Sequence, residues 1–235
     1  MTDRVAVISG GTGALGTALA ARLAAGGHRL AVTYLIPAEA EAFEASLDLD
    51  EDRLLLRRVD AGDPDLVADF MQEVTDRFGS LEILCGLVGG WAGGRDVEET
   101  DDVRFDRMID LNLRSAFYAV RAAVPHLRKA GWGRIVLVGS RAAFDTPSGQ
   151  GAFNAAKAGV VALGKTLAEE LSDTDITANV LLPAVIDTPA TRAALPYSDY
   201  IDWPTPDEIA AVAEFLVSEE AGVITGAAIP VYGRA

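Results

Sequence analysis

Two short segments hold most of the residues that could do chemistry. The first, Ser9-Gly10-Gly11-Thr12-Gly13-Ala14-Leu15-Gly16, closes an apolar run and opens a helical one. Gly11, Gly13 and Gly16 form a G-x-G-x-x-G in the strand-then-helix context that dinucleotide binding requires. Glycine there permits a tight turn and lets backbone approach a pyrophosphate. The amides and dipole of the helix start, from Thr12 through Ala14 and Leu15, then favour the negative charge. The second segment is Phe153-Asn154-Ala155-Ala156-Lys157. Phe153 and Lys157 are four apart, so a helix turns a phenyl ring and an ammonium to one side.

Further candidates lie on loops. Trp91, in Gly89-Gly90-Trp91-Ala92-Gly93-Gly94, offers a flat ring for stacking on a heteroaromatic group, or else pins a strand end. Asp60, followed by Ala61, either hydrogen-bonds an adenine amino group or caps the next helix. At Thr33-Tyr34-Leu35 an acidic residue would bind the ribose 2′-hydroxyl of NAD and repel a 2′-phosphate. Tyr34 stands there instead, and no Arg or Lys sits in the glycine loop or just after the strand. The balance tips toward NADP(H) over NAD(H).

These positions need a scaffold. Apolar, β-branched runs at Val5–Ser9, Leu30–Tyr34, Leu54–Val59, Ile83–Val88, Arg134–Gly139, Thr177–Leu182 and Ala228–Tyr232 read as strands. Several are apolar on consecutive positions, as in a sheet covered on both faces. Helical patterns fall between them at Ala14–Ala25, Ala38–Leu47, Pro64–Phe78, Val103–Lys129, Gly151–Leu171 and Pro206–Ser218. Pro64 and Pro206 suit a first helical turn. Such alternation implies an α/β, single-domain Rossmann fold: a doubly wound parallel sheet of about seven strands with helices on both faces. Its ligand would lie at the carboxyl ends of the strands, where strand order reverses.

Composition removes other classes. A formal charge of −15 argues against nucleic acid and anionic membranes as partners. One cysteine and two well-separated histidines offer no metal-ligand spacing and no intrachain disulfide. With no signal-peptide pattern and no long apolar stretch, a cytoplasmic location is expected. The 235 residues fit one domain comfortably and leave little room for a second.

Together these residues resemble the short-chain dehydrogenase/reductase family from Val5 to Gly233. The resemblance implies roles for Asn112 in Asp110-Leu111-Asn112-Leu113, for Ser140 after the fifth strand, and for Lys157. Pro183-Ala184-Val185-Ile186-Asp187-Thr188 is similar to the loop that holds the nicotinamide, with Thr188 on its carboxamide. The family's serine-to-tyrosine interval ends at Phe153. In the family the tyrosine hydroxyl protonates the carbonyl oxygen, while the lysine lowers its pKa and holds the ribose. Phenylalanine keeps the ring and loses the proton. The loop around Gly89, Gly90 and Trp91, and the stretch from Ile186 through Arg192 to Pro206, are similar to dihydropteridine reductases, a divergent branch. That branch keeps the tyrosine and lacks the serine.

Two chemistries follow. One is an NAD(P)H-dependent reduction of a conjugated or activated acceptor: a quinonoid ring, an imine or an activated ketone. Such an acceptor takes its proton from water or Ser140. The other is dinucleotide binding without redox turnover, as a sensor, a partner subunit, or a cyclase or eliminase. Trp91, Ser140, Phe153, Arg192 and Tyr197 are the candidate substrate contacts. Residues 187–203 read as a lid over a small-molecule substrate, in which Tyr197 or Tyr200 could supply a hydroxyl. The resemblance also implies a homodimer or homotetramer through the helices at 103–129 and 151–171.

Overall fold

The computed structural model describes residues 3–47, 49–50, 52–196 and 203–234. Its strands are β1 (Val5–Ser9), β2 (Arg29–Tyr34), β3 (Leu54–Arg58), β4 (Ile83–Gly86), β5 (Gly133–Val138), β6 (Ile176–Pro183) and β7 (Ala228–Val231). They form one parallel sheet in the order β3-β2-β1-β4-β5-β6-β7. The chain works outward from β1 to β3, then crosses back to lay β4 on the other side of β1. That reversal puts a crevice at the carboxyl ends of β1 and β4.

The helices are α1 (Ala14–Ala25), α2 (Pro37–Ser46), α3 (Pro64–Phe78), α4 (Asp102–Ile109), α5 (Ser115–Ala130), α6 (Ala142–Asp145), α7 (Gly151–Glu170), α8 (Pro189–Ala194) and α9 (Pro206–Leu216). Strand side chains alternate between two cores, because successive residues point to opposite faces. Val5 and Val7 of β1 pack with α3, α5 and α7. Ala6 and Ile8 pack with α1 and α9. All four are fully buried, which is why β1 reads as an unbroken apolar run.

Helix ends follow local chemistry. Asp63 caps α3 by accepting from the amides of Asp65 (3.0 Å) and Leu66 (3.2 Å), ahead of Pro64. Gly79 ends that helix at φ +87°, a conformation that favours glycine. Thr205 and Glu208 cap α9 reciprocally.

Strand and helix limits agree with the sequence reading to within two residues, apart from three features. The single helix expected over 103–129 is α4 and α5 joined by a π-helical turn at Asp110–Arg114. A short helix, α6, follows Ser140. The segment 187–203, without visible periodicity, contains α8, whose first turn is Pro189 behind a Thr188 cap. Replacing Asp63 by Ala should cost about 1 kcal/mol. A thermal melt should therefore drop by roughly 2–4 °C.

Candidate active site

The glycine loop crosses the sheet at the reversal. The amides of Gly10 and Gly11 donate to the hydroxyl (2.9 Å) and carbonyl (3.1 Å) of buried Thr33 on β2. Gly10 sits at φ +71°, and a Cβ there would come within 2.8 Å of Val88 beyond β4. A Cβ at Gly16 would come within 2.4 Å of the Gly11 carbonyl, so the loop and α1 interlock through bare backbone. Gly13 differs: a Cβ on it would meet only the Gly10 oxygen, at 3.8 Å. Packing does not explain that glycine, whereas an approaching phosphate would. No side chain caps α1 and no acid lies in its first turn, so its amide end, with exposed Ala14, is left for an anion. These residues fit the pyrophosphate of a dinucleotide.

The neighbouring rim carries two charges that the sequence did not reveal. Parallel register sets Arg58 of β3 beside Tyr34 of β2. The Arg58 Nε donates to the Leu35 carbonyl at 3.1 Å, which brings a guanidinium to the end of β2. From α2, the Glu39 carboxylate accepts from the Thr12 hydroxyl at 3.1 Å. Exposed Asp60 accepts from the Gly62 amide at 2.9 Å in a local turn that includes Ala61. Asp63, not Asp60, caps the helix.

On the β4 side of the crevice, Asn112, Lys157, Gly89 and Phe153 come together. Asn112 is 1% exposed and faces the Gly90 backbone. Its Nδ2 donates to the Gly90 carbonyl (2.9 Å) and the Met108 carbonyl (3.1 Å), and its Oδ1 accepts from the Gly90 amide (3.1 Å). The π turn re-aims this side chain out of the α4–α5 helical register. Lys157 is buried, and its Nζ donates to the Val138 carbonyl at 2.9 Å. A Cβ at Gly89 would lie 2.9 Å from Asn112 Oδ1 and 3.0 Å from Lys157 Nζ, so both groups meet where that side chain is missing. Burial alone pushes the Lys157 ammonium down to about 8. The Phe153 ring centroid is 5.9 Å from Nζ. The ring packs with Met108 and Ala152, against Ala92, Leu111 and Ala142. Ser140 is buried after β5, and its Oγ accepts from the Ala142 amide at 3.1 Å.

The loop after β6 is tied down by its own residues. The Pro183 carbonyl accepts from the Arg141 amide at 2.9 Å. Ala184 and Val185 are half-buried, and Ile186 packs on the α1–α9 core. Thr188 Oγ1 accepts from the Thr191 amide at 3.1 Å as the cap of α8. Arg192 grips Asp187 with two bonds of 2.5 and 2.6 Å, holding that carboxyl below its usual range. Tyr197 and Tyr200 lie outside the described residues.

Trp91 is 60% exposed, and its position is fixed rather than free. Its Nε1 donates to Gln150 Oε1 at 2.5 Å, and its ring covers Gly93, where a Cβ would come within 2.5 Å. The Arg95 amide donates to the Gly149 carbonyl at 3.1 Å, and the Arg104 guanidinium to the Gly93 carbonyl at 2.5 Å. Asn154 Nδ2 donates to the Pro147 carbonyl at 2.9 Å, so the loop before α7 is strapped at both ends. Gln150, Arg104 and Asn154 carried no sequence signal, since each acts through a contact distant in the chain or through backbone.

Comparison with known proteins settles the family. A model described as short chain dehydrogenase matches residues 4–197. The chain belongs to the short-chain dehydrogenases. The 3-oxoacyl-[acyl-carrier-protein] reductase MabA of Mycobacterium tuberculosis is 33% identical over 239 residues, covering 98% of this chain and 92% of the relative. D-beta-hydroxybutyrate dehydrogenase of Rhizobium meliloti is 33% identical over 198 residues, covering 82% and 75%. The crystal structure of levodione reductase superposes with a TM-score of 0.92 at 28% identity, covering 99% of this chain and 97% of that one. The chain is accordingly an NAD(P)-dependent oxidoreductase with a single-domain Rossmann-like fold. Among the described residues no helix is long and apolar enough to cross a membrane, and no His, Cys, Asp and Glu group could hold a metal.

Gly89→Ala should push Asn112 and Lys157 apart while leaving the sheet intact. We expect at least a tenfold fall in kcat/KM with an unchanged circular dichroism spectrum. Full activity in that variant would show that the two side chains need not meet.

Proposed function

We propose that this short-chain dehydrogenase is an NADP(H)-dependent reductase of activated carbonyl compounds that works without the usual tyrosine. The observation that carries this reading is the joint placement of Asn112, Gly89, Lys157 and Phe153. Three groups of a reductase site come together around a ring that has no hydroxyl. When bound, the dinucleotide supplies hydride. Gly10 to Gly16 hold its pyrophosphate, Asp60 and Ala61 meet the adenine, and Lys157 holds the nicotinamide ribose. The loop from buried Pro183 through half-buried Ile186 flanks the nicotinamide, Thr188 reaches its carboxamide, and the segment that carries α8 covers the substrate.

A general acid is typically worth 10²–10⁴-fold, a loss that a reactive acceptor tolerates better than a simple ketone. Two of the relatives matched over 98% of the chain are named 3-oxoacyl-[acyl-carrier-protein] reductase and acetoacetyl-CoA reductase; in such substrates a second carbonyl activates the ketone. The resemblance of the 89–94 and 186–206 segments to dihydropteridine reductases points to quinonoid acceptors. Both are electron-poor and conjugated or activated, and that is the substrate class we assign. Trp91, held over the crevice edge by Gln150, supplies the flat wall. Arg192, which grips Asp187 within the lid, is a candidate substrate contact. Exposed Ala155, Ala158 and Ala162 on α7, with half-exposed Phe117 on α5, form the face through which two copies would pair.

The NADP(H) preference rests on Arg58 at the end of β2, where the sequence showed no cation. A charge-assisted bond to a 2′-phosphate contributes about 1.5–3 kcal/mol. Arg58→Ala should therefore weaken NADPH binding by roughly ten- to hundredfold and leave NADH near its wild-type value. Glu39→Gln, which removes the carboxylate from the same rim, should tighten NADPH. Equal NADPH affinity in wild type and Arg58→Ala would remove Arg58 from the site.

Activity tests the main proposal. The wild type should oxidise NADPH with acetoacetyl-CoA and a quinone but hardly with simple ketones. Phe153→Tyr should gain about 10²-fold on simple ketones. Tight dinucleotide binding with no turnover on any acceptor would favour a non-redox role.

A further inference from the structure

We propose that Lys157 is itself the proton donor, passing an ammonium proton to the substrate oxygen in place of a tyrosine hydroxyl. This rests on the reductase reading above. Its ground is the surroundings of Nζ. An ammonium has three protons, and the Val138 carbonyl takes one at 2.9 Å. Among the described residues no other acceptor bonds Nζ. Around it stand the missing side chain of Gly89, the Asn112 amide and the face of Phe153. None of these titrates, and no charged group among the described residues perturbs the lysine. A cation so placed, dry and without a carboxylate, releases a proton readily at neutral pH.

The alternatives are weaker. Ser140 is an alcohol whose oxygen is turned to the Ala142 amide. The carboxyls near the ends of β5 and β6, Asp145 and Asp187, are partners of Arg141 and Arg192, and those of Glu39 and Asp60 lie on the β2–β3 rim with Thr12 and Gly62. His28 precedes β2 at the far, amino end of the sheet, and His126 lies near the end of α5. Neither reaches the crevice.

The step balances. Reduction of the ketone forms a C–H bond with the hydride of the reduced nicotinamide and breaks the C=O π bond. The oxygen takes the proton from Nζ, and the neutral amine is reprotonated by solvent. An apolar ring at position 153 favours this step, because it keeps water from solvating the ammonium and raising its pKa.

The chain has lysines only at 129, 157 and 165, so protein labelled with ¹³C at lysine Cε gives three resolvable titrations. Lys157 is expected to titrate near 8, below the ordinary lysine value. The wild-type kcat/KM for acetoacetyl-CoA should fall about tenfold per pH unit above that same midpoint. In Phe153→Tyr this falling limb should move away from the Lys157 midpoint. Lys157→Ala should lose at least a hundredfold at saturating NADPH, and added primary ammonium ions should restore rate in order of their acidity. A wild-type rate that stays flat through the Lys157 titration overturns the proposal without needing any variant to fold. So does a Lys157→Ala protein that binds NADPH and is not rescued. A wild type that binds NADPH yet reduces no acceptor instead removes the reductase reading, and this role falls with it.

Discussion

A lysine ammonium held out of water by a single backbone carbonyl is the interaction on which this site depends. Burying a cation without a carboxylate is costly, and the cost appears as a pKa pushed down to about 8. The unfolded chain binds this proton more tightly than the folded one. The folded state is therefore penalised below about pH 8, and the penalty lifts as pH rises from there toward the ordinary lysine value. The sheet meets this cost with rigid parts. Val138 ends β5, Asn112 sits on a π turn locked to Gly90, and Gly89 leaves the gap in which both side chains meet.

The two halves of the crevice are physically distinct. On the β1 side, backbone does the work: Gly10, Gly11 and Gly16 interlock the loop with β2, Val88 and α1, which leaves Gly13 and the helix amides for phosphate. On the β4 side, side chains do it: Asn112 from the π turn, Ser140 from the end of β5, and Phe153 and Lys157 from α7. This division explains why one half is rich in glycine and the other in buried polar groups. It also separates their failure modes. A side chain added at Gly10 or Gly16 collides with Val88 or the Gly11 backbone, whereas one added at Gly89 collides with Asn112 and Lys157.

Much of the fold was legible in the sequence. Consecutive apolar residues in β1 reflect a strand covered on both faces, and the glycines at 10, 11 and 16 reflect close approaches that leave no room for a Cβ. Lys157 and Phe153 were legible as a pair because helical spacing alone sets them on one face. What escaped depends on partners distant in the chain. Arg58 reaches the end of β2 only through the parallel register of β3, a pairing that no local pattern encodes. Glu39 meets Thr12 because α2 folds back over the loop. The π turn at Asn112 is stabilised by the Gly90 backbone, so its cause lies outside the helix it interrupts. Thr188 has the composition of a loop residue and acts as a helix cap, because α8 begins at Pro189 and its Thr191 amide comes within reach of the Thr188 hydroxyl.

Whether the site moves hydride at all is the point on which everything above turns. The direct measurement is isotope transfer: wild-type protein is incubated with acetoacetyl-CoA and NADPH bearing deuterium at the transferable position of the nicotinamide. Mass spectrometry of the hydroxyacyl product should show one deuterium on the carbinol carbon. A product without label, or no product while the dinucleotide stays bound, would contradict hydride transfer at a crevice lined by phenylalanine.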